Sequence, residues 1–204
     1  MTDNKNKIAL VAFELSLEKG FDNVSIKQIQ KEAKLSVGSI YYHFKNKHEI
    51  LLHMIQMYLM DNFKVFSEDV KKFNGSFIER IEFIFNYKTT SFAKEELSQF
   101  ISSKRSFNYK EYYMLLMTIF HQHPDVRQLV YEFHNKFYDF YCELVQEAID
   151  NGEIRDDIDV KTLVTYLQTI MKGYVELWLF QNHLSYETIV DANVKMIEEA
   201  VKKQ

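Results

Sequence analysis

The stretch LSVGSIYYHFKNKHEI, running from Leu35 to Ile50, decides how the rest of this chain is read. It is too short and too polar for a core helix, and helix-boundary signals flank it on both sides. Ser36 is a natural N-cap, because its hydroxyl can accept from a backbone N–H that the first turn leaves unpaired. A short third helix is therefore expected near Val37–Phe44. At 100° per residue, Ile40 and Phe44 point inward together. Gly38 and Tyr42 lie opposite, with Ser39 and Tyr41 on the flanks and His43 between. The outer face thus carries small and hydrogen-bonding groups, which suits a groove edged by phosphates. Gly38 costs about 1 kcal/mol of helix propensity relative to alanine. That cost is easier to understand where the backbone has to approach another surface closely.

Working outward, a first helix is expected over Asn4–Lys19, with Ile8, Val11, Ala12 and Leu15 on one face. Gly20 ends it, since a residue just past a helix often adopts the left-handed conformation. Ser25 opens a second helix and Gln28, three positions on, completes a capping-box pattern. Ile26, Ile29 and Ala33 form its inner face, and Lys34-Leu35-Ser36 is the connector. On the far side Asn46 and Glu49 repeat the box and start a long fourth helix over Lys47–Lys72. Leu51, Ile55, Tyr58, Leu59, Phe63, Phe66 and Val70 keep an apolar stripe along it. Two short helices joined by three residues are the layout of a helix-turn-helix, although enzymes and interaction domains also contain such pairs.

Composition narrows the field. The chain has 204 residues, 47% hydrophobic and 26% charged, which describes an ordinary globular protein. One proline and five glycines are too few for the turns of an all-β chain, so helices are favoured throughout. No apolar run reaches the roughly 18 residues of a membrane span, and MTDNKNK lacks the apolar core of a signal peptide. The single cysteine, Cys142, excludes an internal disulfide framework and fits a reducing compartment, so a cytoplasmic location is expected. Residues 1–50 carry a net +2 and the remainder −6, giving −4 in all. A mildly basic head on an acidic body permits nucleic-acid contact at one end only.

Beyond Asn74-Gly75, Ser76 and Glu79 begin a helix within Phe77–Phe92, followed by a short one near Glu95–Ser103 and another around Lys110–His121. Pro124 suits a first helical turn, where its missing N–H is no loss. A long helix then runs to about Ile149 and stops at Asn151-Gly152. The helix over Val160–Gln181 has apolar residues at 160, 163, 164, 167, 170, 171, 174, 175, 177 and 178, a stripe wide enough to be buried on more than one side. The last helix, Tyr186–Lys202, has Val190, Val194, Ile197 and Val201 on one face and Ile189, Met196 and Ala200 on another. Excess apolar surface of this kind needs a partner. A homodimer through these two helices, residues 160–202, is expected.

The segment Ile8–Ile55 resembles the DNA-binding domain of the tetracycline-repressor (TetR) family of bacterial transcription regulators. The resemblance rests on Ala12, Gly20-Phe21, Ser25-Ile26, Ile29, Ala33 and Leu35-Ser36-Val37-Gly38. It continues through Ser39-Ile40-Tyr41-Tyr42-His43-Phe44 and Lys45-Asn46-Lys47 to Leu51. It covers about a quarter of the chain, and Tyr-Tyr-His-Phe with Asn-Lys is its most specific part. Lys34 departs from it, since many members carry glycine or a similar turn residue there. The resemblance implies an all-α fold: a three-helix helix-turn-helix domain, residues 1–47, and a larger helical ligand-binding and dimerisation domain, residues 48–204. It implies contacts to double-stranded operator DNA from Ser25, Lys27, Ser36, Val37, Gly38, Ser39, Tyr41, Tyr42, His43 and Lys47. Tyr42 and Lys47 suit phosphate, Lys27, Val37 and Ser39 suit base reading, and Tyr41 suits either. A repressor that binds a palindromic operator as a dimer and is released by a small apolar effector follows. A body that serves as a protein-interaction platform is the alternative.

Aromatic and methionine residues crowd the body. As a ligand pocket the expectation is Phe63, Phe66, Phe83, Tyr87, Phe100, Tyr113, Met117, Phe137, Tyr141 and Trp178, although core packing competes at every one of these positions. His121 and His123 would face different sides of a helix, and His43, His48 and His53 do not share a face, so no metal is expected. Cys142 reads as a buried, inert thiol. Glu95-Glu96 and Asp156-Asp157 come without a nucleophile or phosphate loop, so neither catalysis nor a cofactor is expected.

Overall fold

The computed structural model describes residues 4–90, 109–181 and 183–203, and the described residues contain helices and no strand. Helix α1 (Asn4–Lys19) is buried on several sides, through Ile8, Ala9, Leu10, Val11, Ala12 and Phe13. Gly20 then turns the chain at φ 77° into a 3-10 turn, Phe21–Asn23. Helix α2 (Ile26–Ala33) starts on a complete capping box: Gln28 N–H donates to Ser25 Oγ at 3.3 Å, and Ser25 N–H donates to Gln28 Oε1 at 2.8 Å. Its end is less comfortable. Lys34 stands at φ 53°, the one non-glycine with positive φ among the described residues. A side chain costs about 1–2 kcal/mol in that region.

Helix α3 (Val37–His43) begins where Ser39 N–H donates to Ser36 Oγ at 3.0 Å. Helix α4 (Lys47–Ile55) is capped by Asn46, but the reciprocal half of its box is displaced. The Glu49 carboxylate accepts from Lys45 N–H at 2.8 Å rather than from Asn46. The expected fourth helix then breaks rule for one turn: Gln56–Asp61 is π-helical before α5 (Asn62–Lys72) resumes. Tyr58 sits in that turn, its ring stacked on Phe13 with centroids 3.6 Å apart and its hydroxyl buried without a hydrogen-bond partner. Next to Tyr58 in sequence-distant α1, Glu14 also buries an unpaired carboxyl oxygen.

Helices α6 (Phe77–Thr90), α7 (Tyr109–Gln122), α8 (Arg127–Asp150), α9 (Val160–Phe180) and α10 (Tyr186–Val201) complete the described chain. Pro124 opens a 3-10 turn, Pro124–Val126, ahead of α8, and Gly152 at φ 68° follows that helix, as expected. The expected helix at Glu95–Ser103 lies outside the described residues.

Packing divides the chain into two compact units. The first contains α1–α4, the π turn and the α7 region up to Phe133. Ile29, Ala33, Ile40, Phe44, Ile50, Leu51 and Met54 meet Tyr112, Leu115 and Ile119 in its core. The second contains residues 64–90 and 134–204, with Phe77, Ile81, Ile84, Phe85, Leu144, Val145, Leu167, Ile189 and Ile197 buried. Ile189 is therefore inside with Val190, not outside with Met196. Arg80 is buried in this second unit and pairs with Glu147 at 2.9 Å and Glu153 at 3.0 Å. Cys142 is only half-buried.

Candidate DNA-binding surface

The anchor of α3 is as the wheel places it: Ile40 and Phe44 are buried, and Tyr42 is 85% and Tyr41 53% exposed. Val37 and Gly38 are also exposed, while Ser39 and His43 are half-buried. The His43 ring meets Tyr42 edge-on, with centroids 5.0 Å apart. A Cβ added at Gly38 would meet only Ser36 Oγ, at 3.8 Å. Apart from its chain neighbours and the helix backbone, no other described residue comes within 4 Å of that position. Ser25 and Ser36 spend their hydroxyls on capping, which leaves helix N-termini with oriented N–H groups nearby. Lys27 is exposed on α2.

Lys47 is placed differently from a free cation. Its Nζ donates to the carbonyl oxygen of Asp22 at 2.9 Å and lies 4.6 Å from the centre of the Phe21 ring. Partial burial pulls its pKa below the usual lysine value, and the Asp22 charge only partly restores it. Sequence reasoning missed Asp22, because 25 residues separate it from Lys47 and no local pattern links them.

Of the expected pocket residues, Phe66, Phe83, Tyr87, Phe137 and Tyr141 come together in the second unit. Phe66 lies 5.1 Å from Tyr87 and 5.2 Å from Phe137, Phe83 lies 5.6 Å from Tyr87, and Tyr141 lies 6.2 Å from Phe137, centre to centre. Trp178 meets Tyr186 instead, at 5.7 Å. Phe63, Tyr113 and Met117 belong to the first unit, and Phe100 lies outside the described residues. The first unit holds a cavity of about 10 Å³ beside Phe13, Tyr58 and Tyr112, room for hardly one water. A larger opening, about 390 Å³, is lined by Arg155, Asp156, Asp157 and Lys203 with Ile149 and Ile154, and so is largely charged.

Two family profiles match: one for bacterial regulatory proteins of the tetR family over residues 8–54, and one for the tetracyclin repressor-like C-terminal domain over residues 117–191. The chain belongs to the TetR family. Its members are transcription regulators, and this regulator carries their helix-turn-helix domain. It is 26% identical over 185 residues to the fatty acid metabolism regulator protein of Bacillus subtilis (strain 168), covering 89% of this chain and 86% of the relative. An HTH-type transcriptional regulator of Staphylococcus aureus (strain USA300) is 24% identical over 188 residues, 89% of this chain and 90% of its own. The regulator's fold is shared with a transcriptional regulator from Saccharomonospora viridis in complex with choline, at a TM-score of 0.75, 18% identity and full coverage of both chains. It is also shared with FadR from Bacillus subtilis in complex with stearoyl-CoA, at 0.65 and 18%, covering 94% of this chain and 96% of that one. No helix among the described residues is long and apolar enough to cross a membrane.

Proposed function

We propose that this regulator is a cytoplasmic repressor that grips a palindromic operator as a homodimer and releases it when a small, largely apolar ligand binds its body. The observation that carries the dimer is an apolar stripe left facing outward on α9. Tyr166, Leu177 and the 75% exposed Phe180 recur there at helical spacing with the open Gly173, and Met196 of α10 is 59% exposed. Such a stripe on the last two helices suits self-association, which spaces two copies of α3 about one DNA turn, roughly 34–36 Å. Ser25, Lys27, Ser36, Val37, Gly38, Ser39, Tyr41, Tyr42, His43 and Lys47 are the contacts assigned to each half-site.

An apolar ligand is supported by the aromatic cluster around Phe66 and by the relative that regulates fatty acid metabolism. Release requires that the ligand bind better to a head spacing that does not match the operator. The mutual packing of Phe66, Tyr87, Phe137 and Phe140 favours a second reading, in which the body is a platform for a protein partner. Fluorescence anisotropy on the protein's selected operator, titrated with stearoyl-CoA and separately with choline, distinguishes them. Release by stearoyl-CoA alone is expected. A complex unmoved by either, or by a series of free fatty acids, favours the platform.

A further inference from the structure

Three ionisable side chains from separate parts of the first unit meet beside the DNA-binding head, and neither capping nor operator contact uses them. His48 is in the first turn of α4, while His123 and Asp125 flank Pro124 in the connector between α7 and α8. Their ligand atoms all lie within 4.8 Å of one another. His48 Nε2 is in direct contact with the Asp125 carboxylate, and the two imidazole rings stand 6.1 Å apart at 35°. His123 is the most enclosed member. Its Nε2 is buried without a hydrogen bond, yet it lies 3.2 Å from Asp22 Oδ1, close enough to attract and not aligned to bond. A buried ring nitrogen that has an ion-pair neighbour but no hydrogen bond is only partly satisfied.

We propose that His48, His123 and Asp125 form a site for a divalent transition-metal ion of the zinc class. Two imidazoles and a carboxylate are a donor set that zinc accepts, with water or Asp22 taking the fourth position. Zinc–ligand bonds of about 2.0–2.2 Å put donor atoms roughly 3.3–3.6 Å apart. Binding the ion requires the donor atoms, now within 4.8 Å of one another, to move to that spacing, with the His48–Asp125 contact opening. The pattern His121-x-His123 is not the site: α7 ends at Gln122, His123 at φ −119° leaves the helix, and its ring stands 6.1 Å from that of His48.

The ion ties the start of α4, where His48 directly follows Lys47, to the α7–α8 connector that carries His123 and Asp125. Asp22, in the 3-10 turn after α1, lies 3.2 Å from His123 Nε2, and its carbonyl accepts from Lys47. A bound ion therefore fixes the surroundings of an assigned phosphate contact, and that regulatory consequence rests on the operator reading above. The site itself does not, because its occupancy is measured without DNA.

The test is titration of the metal-free full-length protein with Co²⁺ and then Zn²⁺. One equivalent of Co²⁺ per chain should give the intense visible absorption of a tetrahedral ion, and Zn²⁺ should displace it and raise the melting temperature. His123→Gln and Asp125→Asn should lose both effects, and His121→Ala should keep them. In case those variants fold poorly, NMR of the parent supplies a second measurement. Zn²⁺ should shift the imidazole signals of His48 and His123 and leave the other five of the seven histidines in place. No saturable Co²⁺ spectrum, equal loss in His121→Ala, or a uniform response of all histidines would overturn the site and leave DNA binding untouched.

Discussion

A methyl group added to Gly38 would meet only the Ser36 hydroxyl, at 3.8 Å, so the protein and its operator should judge that substitution oppositely. Gly38→Ala is expected to stabilise the free protein, by up to about 1 kcal/mol, and to weaken operator binding; chemical denaturation and anisotropy on the same samples check the pair. Improved stability with unchanged affinity would mean the backbone does not approach DNA there. Lys47 poses a sharper choice, because its ammonium is engaged by Asp22 and Phe21. As a phosphate ligand it should lower the slope of log K against log salt by about one unit per chain when changed to alanine. As an internal tie, Lys47→Ala would lower the melting temperature and leave that slope alone. Lys34→Gly relieves a left-handed lysine and should raise stability by about 0.5–1 kcal/mol. These residues were readable from sequence because caps and turns are local chemistry: Ser25, Ser36 and Gly20 announce themselves within three or four positions. Asp22 did not, since its contacts to Lys47 and His123 are made only after folding.

Along the helices, the apolar stripe over Lys47–Lys72 foretold helix and hid the π turn, because inserting one extra residue leaves both flanking faces apolar. That turn, Gln56–Asp61, presses Tyr58 onto Phe13 and shuts an unpaired Glu14 oxygen into the same core. Burial, helped by the Glu32 charge, raises the Glu14 carboxyl above its usual 4.5. The folded protein then holds this proton more tightly than the unfolded chain. Its contribution to stability is fully present below the unfolded value and is lost as pH rises through the folded one. Glu14→Gln should thus raise the melting temperature at neutral pH, with the gain vanishing toward about pH 4. A gain that is the same at both pH values would contradict the assignment. Other features of this scale were hidden by distance. Arg80 finds Glu147 and Glu153 across 67 and 73 residues, and periodicity in α6 marks only that a helix is there.

For the molecule as a whole, helix order and the helix-turn-helix were legible, because helical periodicity and one specific motif are both short-range. The division into two compact units was not: the first unit recruits residues of the α7 region far along the chain, which no boundary signal marks. The outward stripe of α9 was half legible: the surplus of apolar residues over 160–202 pointed to a second copy of the chain, but not to which of those residues stay exposed. Leu177→Glu with Phe180→Glu places charges on that stripe and should yield monomers in sedimentation, with operator affinity reduced by roughly 10²-fold or more through loss of the second head. The account depends most on two copies of α3 occupying successive major grooves of one duplex. Hydroxyl-radical footprinting at low salt on an operator selected from random sequence reads that directly. Two protected half-sites related by symmetry, with centres about 10 base pairs apart, are predicted. A single protected patch, or no protection at all by the effector-free protein, would contradict it.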